Sequence, residues 1–142
     1  MNFNLDEKYL TIQKRALELA REIEPKAVEA DASSVVHQGV LKALQASGLC
    51  QLMVPAEYGG IYDTIDPLAI CVVREAMMAT SSHLDSLFAL QGIGSYAITV
   101  AGSAEQRAEW LPKVAATEAL GALALTEDNS GSDLKSVATE VC

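Results

Sequence analysis

The feature that most constrains the fold is a long run without a charged side chain, residues 86–104. Its length is close to the roughly 20 residues that a helix needs to cross a bilayer. The run also contains serine, threonine, glutamine and glycine, and this composition lowers its hydrophobicity too far for a convincing span. The sequence therefore predicts no membrane span, but a helix over residues 82–101 that is buried on most sides.

Composition narrows the class of protein further. Half of the residues are hydrophobic, which is ample for a packed core, and the net charge is −9. Because an acidic chain repels the phosphate backbone, we expect no nucleic-acid binding. The three cysteines lack Cys-x-x-Cys spacing, so we predict no metal site and a reducing compartment, with Cys50 and Cys71 as small buried hydrophobes.

The first third of the chain carries the signals of two helices. Asn4 and Glu7 have the spacing of a capping box, and apolar residues then recur at helical intervals to about residue 31. Pro25 is expected to kink or restart this helix. A second, shorter helix follows, and Gly48 can terminate it.

Two further helices have strong start signals. Asp66 and Pro67 place a cap acceptor before a first-turn proline, which predicts a helix running to about residue 80. Ser103 and Gln106 form a capping box for a short last helix, expected to end at residues 111–112, Leu-Pro.

The pattern changes after residue 118. Residues 120–126 alternate weakly with period two and predict a strand, residues 128–133 form a polar turn, and residues 137–141 could begin another strand. The fold class predicted is mainly α: an all-α helical bundle over residues 1–118, followed by the first strands of a truncated β-domain over residues 119–142.

Asp85 and the two histidines are the polar side chains that stand out in the charge-poor middle of the chain. Asp85 is the sole charge between Glu75 and Glu105. It is either a solvated acid favoured by the helix dipole or an acid that meets a polar ligand or transfers a proton. His37 and His83 are expected to be capping or surface histidines.

Three motifs carry a resemblance to a known family. The run ALTEDNSGSD at residues 124–133 follows the predicted strand, VPAEYGG lies at residues 54–60, and GSAEQRAEWLP lies at residues 102–112. In this order they resemble the acyl-CoA dehydrogenase family, whose loops read Thr-Glu-Pro-x-x-Gly-Ser-Asp, Pro-x-Glu-Tyr-Gly-Gly and Gly-Ser-x-Glu-Gln-x-x-x-Tyr-Leu-Pro. Asp128 departs from the family's usual proline, and Leu123 from a commoner aromatic residue.

The resemblance implies the N-terminal helical domain and the start of the middle β-barrel domain of an FAD-dependent enzyme that desaturates an acyl-CoA thioester between its α and β carbons. It assigns the flavin contacts to one segment: Leu123, Leu125, Thr126, Gly131 and Ser132. Ser132 would also lie near the coenzyme A moiety.

The same resemblance places the acyl pocket along the charge-poor helix, with Asp85 and Ala89 as substrate-binding residues. Leu84 and Phe88 stand where glutaryl-CoA dehydrogenases carry an Arg and a Ser, so a glutaryl substrate is disfavoured. No residue matches the family's catalytic base, and therefore no catalytic residue is assigned to these 142 residues.

The implied partners are an acyl-CoA substrate, an electron-transferring flavoprotein as electron acceptor, and further copies of the chain in a full-length tetramer or dimer. The implied location is cytoplasmic, or the mitochondrial matrix in a eukaryote. Two alternatives stay open at this point: a non-catalytic helical module of the same fold, and a sister acyl-CoA oxidase or flavin monooxygenase.

Overall fold

The computed structural model describes residues 4–140 of the chain. These residues form a helical bundle in which short 3-10 turns join some of the helices. The helices are α1 (Glu7–Ile23), α2 (Ala27–Ala32), α3 (Gln38–Ser47), α4 (Pro67–Met78), α5 (Ser82–Ala101) and α6 (Ala104–Ala115). The 3-10 turns are Glu24–Lys26, Leu49–Met53, Ala56–Tyr58 and Leu134–Ser136.

Helix α5 is the charge-poor helix, and its observed bounds confirm the predicted ones. It packs against α3, α4, α6 and the 3-10 turn that ends at Met53. Leu84 and Phe88 of α5 are fully buried in the main core, together with Leu44 and Met77. The buried residues of α5 lie between Leu84 and Ser95, whereas Tyr96 and Val100 are exposed, so the prediction of a helix buried on most sides holds only for its first part.

Asp66 joins the two helices that pack most extensively, α1 and α4. Its carboxylate accepts hydrogen bonds from the backbone N–H groups of Leu68 and Ala69 and so caps α4 as predicted. It also accepts from Lys8 Nζ at 2.9 Å and from the Tyr9 hydroxyl at 3.0 Å. The Lys8 ammonium, first among these donors, lowers the pKa of Asp66 below its ordinary value.

Several other caps agree with the sequence. Gly48 ends α3 in the left-handed conformation at φ 65°, which a glycine adopts without steric cost. The capping box of Ser103 and Gln106 is present at α6. His37 caps α3 by accepting from the backbone N–H of Val40, and His83 Nε2 accepts from the backbone N–H of His37.

Two predicted helix ends are wrong. Helix α1 begins at Glu7 with Asp6 at its N-cap, so Asn4 is not the cap residue. Helix α6 continues through Pro112 to Ala115. Because Leu111, Val114 and Ala115 are buried against Val54, the packing of this last turn outweighs the break that proline favours.

The predicted strands are also wrong for the residues described. Residues 120–126 and 137–140 form no strand, and residue 141 lies outside the described part. One isolated antiparallel bridge joins Glu127 to Ser130. A strand is defined by hydrogen bonds to a neighbouring strand, and residues 4–140 offer none beside this segment.

Candidate functional site

An apolar groove of about 300 Å³ lies between α4 and α5. Four of its lining residues follow one face of α5 at helical spacing, and two more lie one turn apart on α4. The lining residues are Met53, Ile65, Ile70, Arg74, Ala89, Gly92, Ile93 and Tyr96. The predicted substrate residue Ala89 therefore lies in the wall of a groove suited to hydrocarbon.

The floor of the groove depends on a glycine. A Cβ atom on Gly92 would lie 2.7 Å from Met53 Sδ, so the missing side chain lets the methionine pack directly against α5. Ala89, one turn earlier, is also small. The two residues leave the groove open where larger side chains would fill it.

The groove contains one charged side chain, Arg74, and Asp85 holds it in place. Arg74 Nε donates to Asp85 Oδ1 at 2.9 Å, and Nη2 donates to Oδ2 at 2.7 Å. The Asp85 side chain is only 2% exposed, whereas that of Arg74 is 46% exposed. The expectation of a solvated Asp85 is therefore wrong, because a carboxylate this deeply buried requires a paired cation.

Asp85 itself does not line the groove. Its two oxygens are occupied by the guanidinium, so Arg74 is the member of the pair that faces a ligand. The carboxylate raises the pKa of the Arg74 guanidinium, which is thus held in its charged form. The sequence carries a weak signal of the pair, since Arg74 is one of only two basic residues between residues 32 and 102 and Asp85 is the sole charge between Glu75 and Glu105.

A different part of α5 anchors the chain after α6. The Gln91 side chain is fully buried; it donates to the carbonyl of Ala119 at 2.8 Å and to that of Val114 at 3.4 Å, and accepts from the Gly121 N–H at 2.6 Å. A Cβ atom on Gly121 would lie 2.2 Å from the Leu90 carbonyl oxygen. The backbone at Gly121 therefore lies directly against α5.

The segment predicted to contact flavin follows this anchor. Leu123 is 56% exposed and Leu125 41%, and Thr126, Gly131 and Ser132 are also exposed. Among the residues that the structure describes, the backbone groups of residues 122–126 have no hydrogen-bond partner. Exposed, unpaired backbone donors and acceptors are suited to a ligand.

The two halves of the predicted site lie near the same helix, α5, but are separate. Ala89 belongs to the groove, whereas Ser132, predicted to contact both flavin and substrate, is not among the groove residues. Helix α5 connects them, because Gly92 faces the groove while Leu90 and Gln91 contact residues 119–121.

Comparison with known proteins decides the family. The profile of "Acyl-CoA dehydrogenase, N-terminal domain" matches residues 6–118, which include all six helices. The chain belongs to the acyl-CoA dehydrogenase family. A probable acyl-CoA dehydrogenase of Mycobacterium leprae is 33% identical over 138 residues, which cover 96% of this chain and 35% of the relative.

Solved structures share the fold. One chain from "Electron transferring flavoprotein of Acidaminococcus fermentans" superposes with a TM-score of 0.86 and 25% identity, covering 96% of this chain and 36% of that chain. An acyl-CoA dehydrogenase of Bacillus anthracis complexed with FAD gives 0.80 and 27% identity over 94% of this chain and 23% of that one. The chain thus corresponds to the N-terminal part of an acyl-CoA dehydrogenase and spans about a third of its relatives' length.

Neither a metal cluster nor a membrane-spanning helix is found in the described part of the chain. Residues 4–140 contain no cluster of three potential metal ligands, and none of their helices is long and apolar enough to cross a bilayer. Cys50 is buried as predicted, and burial raises its pKa to about 11. Cys71 is exposed, contrary to the prediction.

Proposed function

We propose that the chain supplies one wall of the acyl pocket and part of the flavin site of an FAD-dependent enzyme that desaturates acyl-CoA thioesters. The observation that carries this proposal is the apolar groove between α4 and α5, with small residues at Ala89 and Gly92. A hydrocarbon chain leaving water for such a groove gains the hydrophobic free energy of burial.

The flavin half of the proposal rests on the exposed segment after Gln91. FAD supplies the acceptor for the hydride that leaves the β carbon. The residues of this chain fit that group: free N–H and carbonyl groups lie at residues 122–126, and the Thr126 hydroxyl is exposed beside them. Leu123 and Leu125 offer apolar surface for a ring system, and a Cβ atom on Gly131 would meet nothing within 4 Å.

We assign no catalytic base to the described residues. Asp85 is the buried carboxylate among them, and its two oxygens already accept from Arg74. A base must reach the proton that it removes, so this engaged carboxylate is unsuited to the role.

The proposal extends to partners. The relatives are named for acyl-CoA substrates, and one structural neighbour comes from a study of an electron transferring flavoprotein. We infer that such a flavoprotein takes electrons from the full-length enzyme. Exposed apolar residues on the last turns of α5 offer surface for contact with other parts of the protein or with further copies: Ile93, Tyr96 and Val100.

The acyl site can be tested on this chain by NMR titration with the N-acetylcysteamine thioester of hexanoic acid. We expect shifts at the amides of Ala89, Gly92 and Ile93. Ala89→Phe should fill the groove and abolish them, whereas Ala97→Phe, an exposed position on the same helix outside the lining, should leave them intact. Equal responses from both variants would contradict the acyl site.

The activity can be tested on the protein at its full natural length. Anaerobic addition of a saturated acyl-CoA should bleach the visible flavin absorbance and yield an α,β-unsaturated thioester. An unchanged flavin spectrum with straight-chain, branched and polar acyl-CoA thioesters would refute the proposed reaction.

A further inference from the structure

Arg74 is the one charged side chain among the mostly apolar residues that line the groove. A guanidinium has five N–H donors, and Asp85 occupies one on Nε and one on Nη2. Among the described residues, none accepts a hydrogen bond from the remaining donors of Arg74. These donors belong to a side chain that lines the groove and is about half exposed.

From this arrangement we infer that Arg74 is a specificity-determining residue that selects acyl thioesters whose acyl group carries an uncharged hydrogen-bond acceptor, such as a keto oxygen. The inference rests on the proposed acyl site and names a substrate class for it. Asp85 acts through Arg74 as a positioning residue, because its bidentate contact fixes the plane of the guanidinium.

Charge balance decides between a neutral acceptor and a carboxylate. Arg74 and Asp85 together are neutral, and the aspartate is almost completely buried. A keto oxygen accepts from Arg74 and leaves the site neutral, whereas a ligand carboxylate adds a second negative charge beside Asp85. Placing a net charge in a mostly apolar groove is unfavourable, so the pair admits polar acyl groups and disfavours anionic ones.

Geometry also orients the ligand. Arg74 and Ile70 lie one turn apart on α4, and across from them Ala89 and Gly92 form the wall on α5. An acyl chain lying along this wall has hydrocarbon contacts along its length and one place where its oxygen can accept a hydrogen bond, from the guanidinium. A purely hydrocarbon chain would cover these donors without pairing them, which costs binding free energy.

The test uses three N-acetylcysteamine thioesters of matched shape, made from 5-oxohexanoic, 5-methylhexanoic and glutaric acids. Their affinities for this chain are measured by NMR titration of the groove amides. We expect the oxo compound to bind roughly tenfold more tightly than the methyl compound, as a hydrogen bond to a charged donor provides. The glutaryl compound should bind more weakly than the oxo compound.

Variants separate recognition from folding. Arg74→Met alone leaves Asp85 buried without a partner, so the double variant Arg74→Met with Asp85→Leu is the main comparison, since it removes both charges together. It should lose the preference for the oxo compound and bind the methyl compound at least as tightly as the unmodified chain, because the unpaired donors are gone. Arg21→Met, on the exposed surface of α1, is the matched control and should behave as the unmodified chain.

Each outcome bears on one claim. Equal affinities for the oxo and methyl compounds, tighter binding of the glutaryl compound, or an oxo preference that survives in the double variant would overturn the role of Arg74 while leaving the acyl site intact. If none of the three thioesters shifts the groove amides, the acyl site itself is refuted, and the role of Arg74 with it.

Discussion

Replacing Gln91 by leucine tests whether a single side chain holds residues 119–121 against α5. The substitution keeps a similar size but removes the two short hydrogen bonds, to the Ala119 carbonyl at 2.8 Å and from the Gly121 N–H at 2.6 Å. It also removes the longer contact with the Val114 carbonyl. Both backbone groups of the short bonds are then left without a protein partner.

The structure sets the size of the effect. Gln91 is fully buried, whereas Ala119 and Gly121 are partly exposed, so water can reach the two orphaned groups in part. Each such group costs about 1–1.5 kcal/mol, at the lower end of the range for buried unsatisfied groups. We therefore expect Gln91→Leu to lower the free energy of unfolding by about 2–3 kcal/mol, a large share of the roughly 5–15 kcal/mol typical of a domain.

Two measurements check this value. Urea unfolding followed by circular dichroism gives the free energy of unfolding, and amide hydrogen exchange reports on Gly121 directly. Amide exchange at Gly121 should become at least tenfold faster, because each factor of ten in rate corresponds to roughly 1.4 kcal/mol in the free energy of opening.

The matched control is Gln45→Leu. Gln45 is exposed and donates one hydrogen bond at 3.2 Å, to the Ala116 carbonyl. Its loss should change stability by less than about 0.5 kcal/mol. If Gln91→Leu is as stable as this control, or if exchange at Gly121 is unchanged, the anchoring role of Gln91 is refuted.

Three further predictions follow from local geometry. Gly121→Ala should destabilise the chain by about 1–3 kcal/mol in urea unfolding, because its Cβ would clash with backbone, whereas Gly131→Ala, with open space around it, should be nearly neutral. Asp66→Ala should cost about 1–2 kcal/mol through the lost α4 cap, and Asp66→Asn less, because asparagine also caps helices. The pKa of Asp66 is lower in the folded chain, so its ionised carboxylate contributes fully to stability above the ordinary pKa of 3.8. That contribution is lost as the pH falls through the lower folded-state pKa. Acidification should therefore destabilise the unmodified chain more than Asp66→Asn. Alkylation of the folded chain at neutral pH should modify the exposed Cys71 before the buried Cys50, whose pKa is about 11. The two rates can be measured by mass spectrometry of the peptides, and equal rates would contradict the burial of Cys50.

Much of the helical framework could be predicted because its signals are local. The caps at Gly48, Asp66 and Ser103 are satisfied by backbone groups within a few residues, so the same sequence positions set the helix ends in the structure. The absence of charge in residues 86–104 likewise indicated that α5 packs against several other elements, as it does against α3, α4 and α6. The three motifs indicated the family.

Where tertiary packing competes with a local signal, prediction from sequence was wrong. The alternation in residues 120–126 favours a strand, yet a strand needs hydrogen bonds from a second one, and the described residues provide none there. Pro112 favours a helix end, yet burial of Leu111 and Val114 carries α6 past it.

The sequence by itself determined the helices, most of their caps, the burial of the first part of α5 and the family, because each of these depends on neighbouring residues or on average hydrophobicity. Only the tertiary structure decided what the buried polar side chains do. Asp85 pairs with Arg74, and Gln91 binds Ala119 and Gly121, through contacts between separate segments. A carboxylate or amide that is buried must find a partner, but the chain fold, and not the spacing along the sequence, selects which one.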